Sequence, residues 1–327
     1  MNKRVFMLFL TIALVHVVVG RAEALKAFDD KLDVKLSIQQ TLNIKTHEDV
    51  RDIRYNSFRT TFRTEGLYKM VTNDSWNIKL YGLTSYFYDE VLDLESPMRH
   101  SIRDEAGSRS QYRHAQRPRD SEEWLKEAYV DVGYRDLFTI RLGKQIVSWG
   151  ETAEEAVADL VNPIDVKYQV AFPDWEDYKL GLWMARIFYT PQNFWQDLAF
   201  ELIVIPFNFV EQRMPVAGSG FWVGQTTPND PVDELLTAWR HDAPSETFKN
   251  LELGLRIKGF ADILEGVDWY LSHFYSRQDA PVVTGPGGFT NFVFGVMGLK
   301  PQGKVFDYPF YHSTAFLLLP LGASRAC

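Results

Sequence analysis

Few residues of this 327-residue chain stand at the spacings that catalysis needs. Ser272 and His273 are adjacent in an alternating stretch, as are His312 and Ser313. Neighbours on a strand point to opposite faces, so neither pair forms a nucleophile and its base. Asp268, Tyr270 and Ser272 share a face with no histidine among them. A triad gathered from distant segments is the one route left to a hydrolase. No two histidines or cysteines stand at metal-binding spacing, and Cys327 is the single cysteine. Gly285-Pro286-Gly287-Gly288 carries a turn signal and does not link a strand to a helix, so it is no phosphate cradle. The expectation is a protein without enzyme activity, metal or cofactor. The chemistry that does repeat is charge at every second position: Lys79, Glu127, Asp131, Arg141, Glu252, Arg256, Lys258 and Asp268, each opposed by a row of hydrocarbon. Such a face wets a lumen and sets its ion preference, or its charges simply pair across neighbouring strands.

Three long segments add candidates. The first, Ser148–Lys179, opens with Trp149-Gly150-Glu151, runs through the helix-prone Glu151–Val161 and reaches the turn signal Asn162-Pro163-Ile164-Asp165. Folded into a lumen, Glu151, Glu154, Glu155 and Asp159 would favour cations; on the outside they are a solvated helix face. The second, Glu90–Glu123, carries Arg99, Arg103, Arg109, Arg113, Arg117 and Arg119, which suit an anionic lipid or solute, or water alone. The third, Phe207–Lys249, is apolar through Phe207, Phe209, Met214, Phe221, Trp222 and Val223. It suits a hydrophobic solute, an ordered cap or an oligomer contact.

The elements that must position these residues are strands. Phe138, Ile140 and Leu142 alternate with Thr139, Arg141, Gly143 and Gln145. Upstream, Ala128, Val130, Val132 and Tyr134 alternate with Glu127, Tyr129, Asp131 and Gly133, and Arg135-Asp136 joins the two runs as a hairpin. The same period of two predicts strands over Asp33–Asn43, Tyr55–Val71, Trp76–Tyr88, Leu180–Thr190, Gln196–Pro206, Asn250–Phe260 and Val267–Arg277, with a tenth inside Val305–Leu319. Short connections (Thr72–Ser75, Arg135-Asp136, Pro191–Trp195, Ala261–Gly266) alternate with long ones (Ile44–Arg54, Glu90–Glu123, Ser148–Lys179, Phe207–Lys249, Gln278–Lys304). Short periplasmic turns and long extracellular loops are the habit of outer-membrane barrels. Trp76, Tyr134, Phe138 and Trp195 fall at the short-turn end, and Tyr86 and Tyr88 at the other, as an aromatic girdle would.

Composition agrees with that pattern. Aromatic residues make up 14% and charged ones 24%, and mean hydropathy is −0.22. A transmembrane barrel does not need high bulk hydropathy, because every second residue is free to be polar. Lys3 and Arg4, the apolar Val5–Val19 and the small-x-small site Ala22-Glu23-Ala24 predict a secretory signal peptide over residues 1–24. A membrane anchor is the alternative, but the run is short for a span of about 20 residues. Without Lys3, Arg4, Arg21 and Glu23, the 35 bases and 43 acids fall to 32 and 42, an acidic balance that argues against nucleic acid.

At Arg141-x-Gly143-Lys144-Gln145-x-x-x-Trp149-Gly150-Glu151, followed by Asn162-Pro163-x-Asp165, the chain resembles proteobacterial outer-membrane β-barrels, porin-like, catalogued as a domain of unknown function. The Arg-x-Gly-x-Gln part is shared with phosphate-porin-like and alginate-export-like barrels; the Trp-Gly-Glu and Asn-Pro-x-Asp pair is more specific. The resemblance implies an all-β antiparallel barrel over 25–327 in the cell outer membrane, and no established activity. Relatives are longer and end in an aromatic strand, whereas this chain ends Ser324-Arg325-Ala326-Cys327, so a C-terminally truncated, incomplete barrel of about ten strands is expected, with a complete small barrel the alternative because ten is an allowed even number. Two functions follow as expectations. One is a channel passing a small or amphipathic solute through a polar lumen. The other is a non-conducting barrel serving as structural or docking partner of a periplasmic carrier or export system. Outer-membrane lipid and the barrel assembly machinery are expected partners of either.

Overall fold

A computed structural model describes residues 25–27, 30–46, 53–94, 116–118, 120–149, 161–165, 175–192, 198–207, 209–211, 244, 247–261, 266–279, 282–283, 306–307 and 310–320. These residues form an all-β structure around one antiparallel sheet of eleven strands. In order they are β1 (Leu25–Ala27), β2 (Leu32–Thr46), β3 (Ile53–Thr72), β4 (Trp76–Asp89), β5 (Leu125–Tyr134), β6 (Phe138–Gln145), β7 (Leu182–Tyr189), β8 (Ala199–Ile205), β9 (Glu252–Ala261), β10 (Val267–Arg277) and β13 (Phe310–Pro320). Each strand pairs with the next in the chain. Between β10 and β13, the two-residue strands β11 (Val282–Val283) and β12 (Phe306–Asp307) pair with each other. Among the described residues the sheet is open, with β1 at one edge and β13 at the other. Among the described residues the named helices are α1 (Val91–Leu94), α2 (Ser121–Trp124) and α3 (Trp175–Tyr178), with one 3₁₀ turn (Phe248–Asn250).

Turn chemistry sets the register. Arg135 and Asp136 both take positive φ, 49° and 53°, the left-handed geometry that a tight hairpin needs. Tyr134 then lies opposite Phe138, Val132 opposite Ile140 and Asp131 opposite Arg141. Between β3 and β4 the Asn73 side chain accepts from the backbone N–H of Ser75 (3.0 Å) and Trp76 (2.7 Å), closing the turn without a glycine.

The ten long strands fall where alternation places them, with two adjustments. β2 and β3 run on into the expected loop Ile44–Arg54, leaving residues 47–52 between them, so the alternation of short and long connections is not strict. The cause is that Ile44, Thr46, Ile53 and Tyr55 continue a strand-forming pattern past the point where the apolar face stops. Three-residue β1, beside the expected cleavage site, has too few residues for a periodic signal.

The two faces of the sheet differ in kind. On β9, Leu253 and Leu255 point to one side and are exposed, while Glu252, Gly254 and Arg256 point to the other and are buried. The exposed side carries Leu36 and Ile38 on β2, Phe62 on β3, Leu80 on β4, Ile140 and Leu142 on β6, Leu202 on β8, Leu271 on β10 and Phe316 on β13. Trp76, Tyr134, Phe138, Tyr189 and Phe200 lie side by side across β4–β8 on this apolar face. Consecutive rings meet at 4.8 Å (Trp76–Tyr134), 4.6 Å (Phe138–Tyr189) and 6.0 Å (Tyr189–Phe200). The row stands at the short-turn end, where the sequence places Trp76, Tyr134 and Phe138; Trp195 lies outside the described residues. The packed core sits on the opposite, polar face, over β7, β8 and β10 at the end nearest the long connections. It joins Val147, Trp149 and Val161 to Leu182, Met184, Ile203, Ile205 and Phe274.

Candidate functional site

The motif residues make a knot on the polar face. Gly143 takes φ 140°, and a Cβ there would stand 2.2 Å from the Ala128 carbonyl oxygen, so this position of β6 requires glycine. Beyond it, the fully buried Gln145 donates through Nε2 to the Met184 carbonyl at 3.1 Å, tying the end of β6 to β7. Asn162 then joins three chain segments with one side chain. Its Oδ1 accepts from Val147 N (2.7 Å), and its Nδ2 donates to the carbonyls of Gln145 (3.1 Å) and Leu180 (2.8 Å). Lys179 Nζ donates to the Asn162 carbonyl at 3.2 Å, and Leu180 N to that of Pro163 at 3.0 Å. Pro163 is buried, and Asp165 N donates to the Tyr178 carbonyl at 2.8 Å. These bonds satisfy backbone groups that would otherwise be stranded in a buried loop.

The knot delivers Trp149 onto the strands. The indole is 1% exposed and meets Phe274 edge-on at 5.9 Å. A Cβ on Gly254 would come within 2.7 Å of Trp149 Cη2, so a glycine in β9 makes the room. Trp149 Nε1 donates to Glu201 Oε1 at 3.2 Å. At the other end of the segment, Asp177 accepts from Arg63 Nη2 of β3 at 2.9 Å. Lys144, at the top of the apolar face, is 1% exposed and pairs with Glu122 of α2 at 2.9 Å. Gly150 and Glu151 of the motif lie outside the described residues, as do Glu154, Glu155 and Asp159.

Across β5 to β9 the polar face carries a ladder of charge, which Trp149 meets at Glu201 and Arg256. Arg141 grips Asp131 with two hydrogen bonds, 2.7 and 2.8 Å, and covers the Tyr129 ring at 3.9 Å. Glu201 holds two arginines: Arg186 Nε donates to Oε1, and Arg256 reaches Oε2 through Nε (2.9 Å) and Nη2 (2.7 Å). Arg186 lies over Phe188 at 4.5 Å, and Arg256 over Trp149 at 5.6 Å. The two faces of one set of strands thus carry hydrocarbon on one side and fork-and-carboxylate pairs on the other.

Of the charges singled out from sequence, Asp131, Arg141 and Arg256 belong to this ladder, and Lys79 stands opposite Asp131 on β4. Glu127 accepts from Ile146 N at 2.9 Å, and the buried Glu252 from Arg277 N at 3.0 Å. Those two carboxylates brace loop and strand ends. Lys258 is exposed, and Asp268 is half-buried beside the short β9–β10 connection. Arg186 and Glu201 were not legible as site residues because β7 and β8 alternate poorly. The available signal was a lone charge inside each apolar strand, in Leu182–Tyr189 and Ala199–Ile205. A single charge in such a run is buried and needs a partner. Of the arginines in Glu90–Glu123, Arg117 is described and exposed; Arg99, Arg103, Arg109, Arg113 and Arg119 lie outside the described residues. In the apolar segment after β8, Phe207 is exposed and Phe209 buried, while Met214, Phe221, Trp222 and Val223 lie outside. Ser272 and His273 do face opposite sides: Ser272 is buried on the polar face, and His273 meets His312 on the apolar face, Nε2 to Nδ1 at 3.3 Å.

No curated protein matches the chain. Residues 6–311 match the family described as Protein of unknown function (DUF1302), a span that takes in the knot, the charge ladder and every strand except most of β13. The chain belongs to that family.

Proposed function

We propose that the chain is an outer-membrane β-barrel protein, exported through its N-terminal signal peptide, that passes a small or amphipathic solute through a polar interior. The observation that carries this reading is the exposed apolar face. Leu142 is 50% exposed and Phe316 61%, while Glu201 on the opposite side is 4% exposed. In water that arrangement leaves a large hydrocarbon surface unmet. In a bilayer it is the expected one, apolar outward and polar inward, with aromatic residues banded where hydrocarbon gives way to headgroups. The knot supplies a second argument. Residues 145–149 and 177–182 are tied together through Asn162, yet they touch β10 and β3. Those strands stand seven apart, roughly 34 Å on a flat sheet at ~4.8 Å per strand. A sheet curled around the knot brings them together, and closure of its two edges, directly or through added strands, is part of this reading.

The mechanism is passive. Charged residues on the inner wall replace the hydration of a passing solute, and the docked segment narrows the way. That same segment favours a second reading. A knot this well satisfied is able to stop the lumen outright and leave a barrel that docks a periplasmic carrier or export partner.

Heat-modifiability and conductance decide between them. Refolded in detergent, the 25–327 chain is expected to migrate faster unboiled than boiled, because a closed barrel has no free edge from which to unzip. A soluble, monodisperse product with no shift would remove the membrane reading. Step conductance in planar bilayers is expected of the channel, and its absence in a heat-modifiable barrel would leave the docking role.

A further inference from the structure

The polar face carries an unbalanced row. Lys69 lies opposite Lys79, Lys79 opposite Asp131, Asp131 opposite Arg141, and Arg141 opposite Arg186, on five consecutive strands. Arg256 joins through Glu201. With Glu127, on the same face of β5, that is five bases against three acids, in a chain whose formal net charge is −8. Like charges directly opposite each other on a sheet repel, and Arg141 and Arg186 are such a pair. Asp131 is taken up by Arg141. Glu201 divides one negative charge between two guanidinium groups whose side chains are 12% and 9% exposed. Glu127, the next acid along β5, accepts from the Ile146 backbone. A guanidinium has five N–H donors, and Arg186 directs one of them, Nε, at Glu201.

We propose that this row, centred on Arg186 and Arg256, binds the carboxylate of an amphipathic organic acid, so that the solute class is an apolar or aromatic monoanion. Excess positive charge in a low-dielectric wall is stabilised by an incoming anion, and an arginine fork suits a carboxylate in both shape and charge. The flanks suit the rest of such a molecule. Tyr129 and Phe188, both half-buried, lie against Arg141 and Arg186 and put ring edges next to the charge, while the buried Trp149 closes the site beneath Arg256. A bare inorganic ion uses the charge and gains nothing from those rings. An aromatic or aliphatic acid uses both.

The proposal rests on the polar face being a lumen, and its test separates the two. Benzoate and its neutral isostere benzamide are titrated by calorimetry into the refolded 25–327 chain in detergent. Benzoate is expected to bind and benzamide not. Arg186→Gln is expected to weaken benzoate by about tenfold, the worth of one charge-assisted hydrogen bond. Arg186→Lys, which keeps the charge and loses the fork, is expected to fall between. Equal binding of the two probes, no binding of either, or an Arg186→Gln variant that folds and binds benzoate unchanged would overturn the site. If Arg186→Gln does not fold, the benzoate-against-benzamide contrast in the unmodified chain carries the test alone. Reversal potentials in a salt gradient supply the second arm. Benzoate binding without conductance keeps the site and removes the channel. Conductance without benzoate binding keeps the channel and removes the site.

Discussion

Along β9 the two faces have exchanged the roles they hold in a water-soluble sheet. Leu253 and Leu255 are 40% and 45% exposed, and Glu252 and Arg256, one residue away on the same strand, are 4% and 8% exposed. The contrast holds on β6, where Ile140 and Leu142 are exposed and Arg141 between them is paired with Asp131. It holds on β8, where Leu202 is exposed and Glu201 is held by two arginines. What the difference teaches is that on these three strands burial follows pairing, not hydrophobicity. The paired charges are covered, and the hydrocarbon beside them is left outside.

The comparison breaks most readily at Glu201. Glu201→Gln leaves Arg186 and Arg256 facing each other with no carboxylate between them, and removing one partner of a buried ion network costs about 3–5 kcal/mol. The expected outcome is a fall of that size in unfolding free energy by urea titration of the refolded chain. Arg256→Gln, which leaves one arginine on one carboxylate, is expected to cost less. If the two variants are equally stable, the polar face is not organised around Glu201.

Leu255→Arg attacks the opposite face. In a bilayer an arginine near mid-membrane on the outer wall costs about 2–4 kcal/mol; on a sheet facing water it costs almost nothing. Unfolding measured in lipid vesicles, compared with the conservative Leu255→Val, reads the difference. A cost near zero would mean that this side meets water. A smaller effect is expected at the aromatic row. Tyr189 stacks on both Phe138 and Phe200, and Tyr189→Ala should cost about 1 kcal/mol beyond its lost area, as aromatic pairs do.

Alternation made the strands legible wherever one face is charged and the other apolar. β9 and β10 show the pattern plainly, as does the β5–β6 hairpin, and their extents agree with expectation to within a few residues. It was a weak guide in β7 and β8, because part of their polar face is not polar. Leu182, Met184, Ile203 and Ile205 point inward to meet Trp149 and Val147. The core made by the docked segment therefore erased the period that would have marked these strands, and with it the surroundings that would have marked Arg186 and Glu201. The motif itself was visible as residue types, but its work was not. Nothing in Asn162-Pro163-Ile164-Asp165 states that the Asn162 amide will bond to Val147, Gln145 and Leu180 at once. Such contacts depend on where distant segments meet, which a local pattern does not encode.

The smallest expected effect tests whether burial follows pairing at the rim of the sheet as well. Asp279 follows β10, where the chain leaves the strands, and is half-buried. Burial raises its carboxyl well above the usual range; the nearby Glu252 carboxylate adds to the rise, and Lys179 opposes it. In the unfolded chain the group titrates near its ordinary value of about 3.9. Between that value and the raised one, the folded chain holds a proton that the unfolded chain has released. The contribution of this group to stability is therefore fully present below the unfolded value and is lost as pH rises through the window above it. Asp279→Asn keeps the neutral shape at every pH, so the variant should match the parent in acid and become the more stable of the two as pH rises toward neutrality. Because Asp279 keeps some contact with solvent, which screens its charge, the gap should be smaller than that at Glu201 or Leu255. Thermal unfolding followed from pH 4 to 8 reads it. Parallel curves for parent and variant would mean that Asp279 is ionised in the fold, with Lys179 outweighing burial and Glu252, and that charge at the rim is compensated in the same way as charge on the wall.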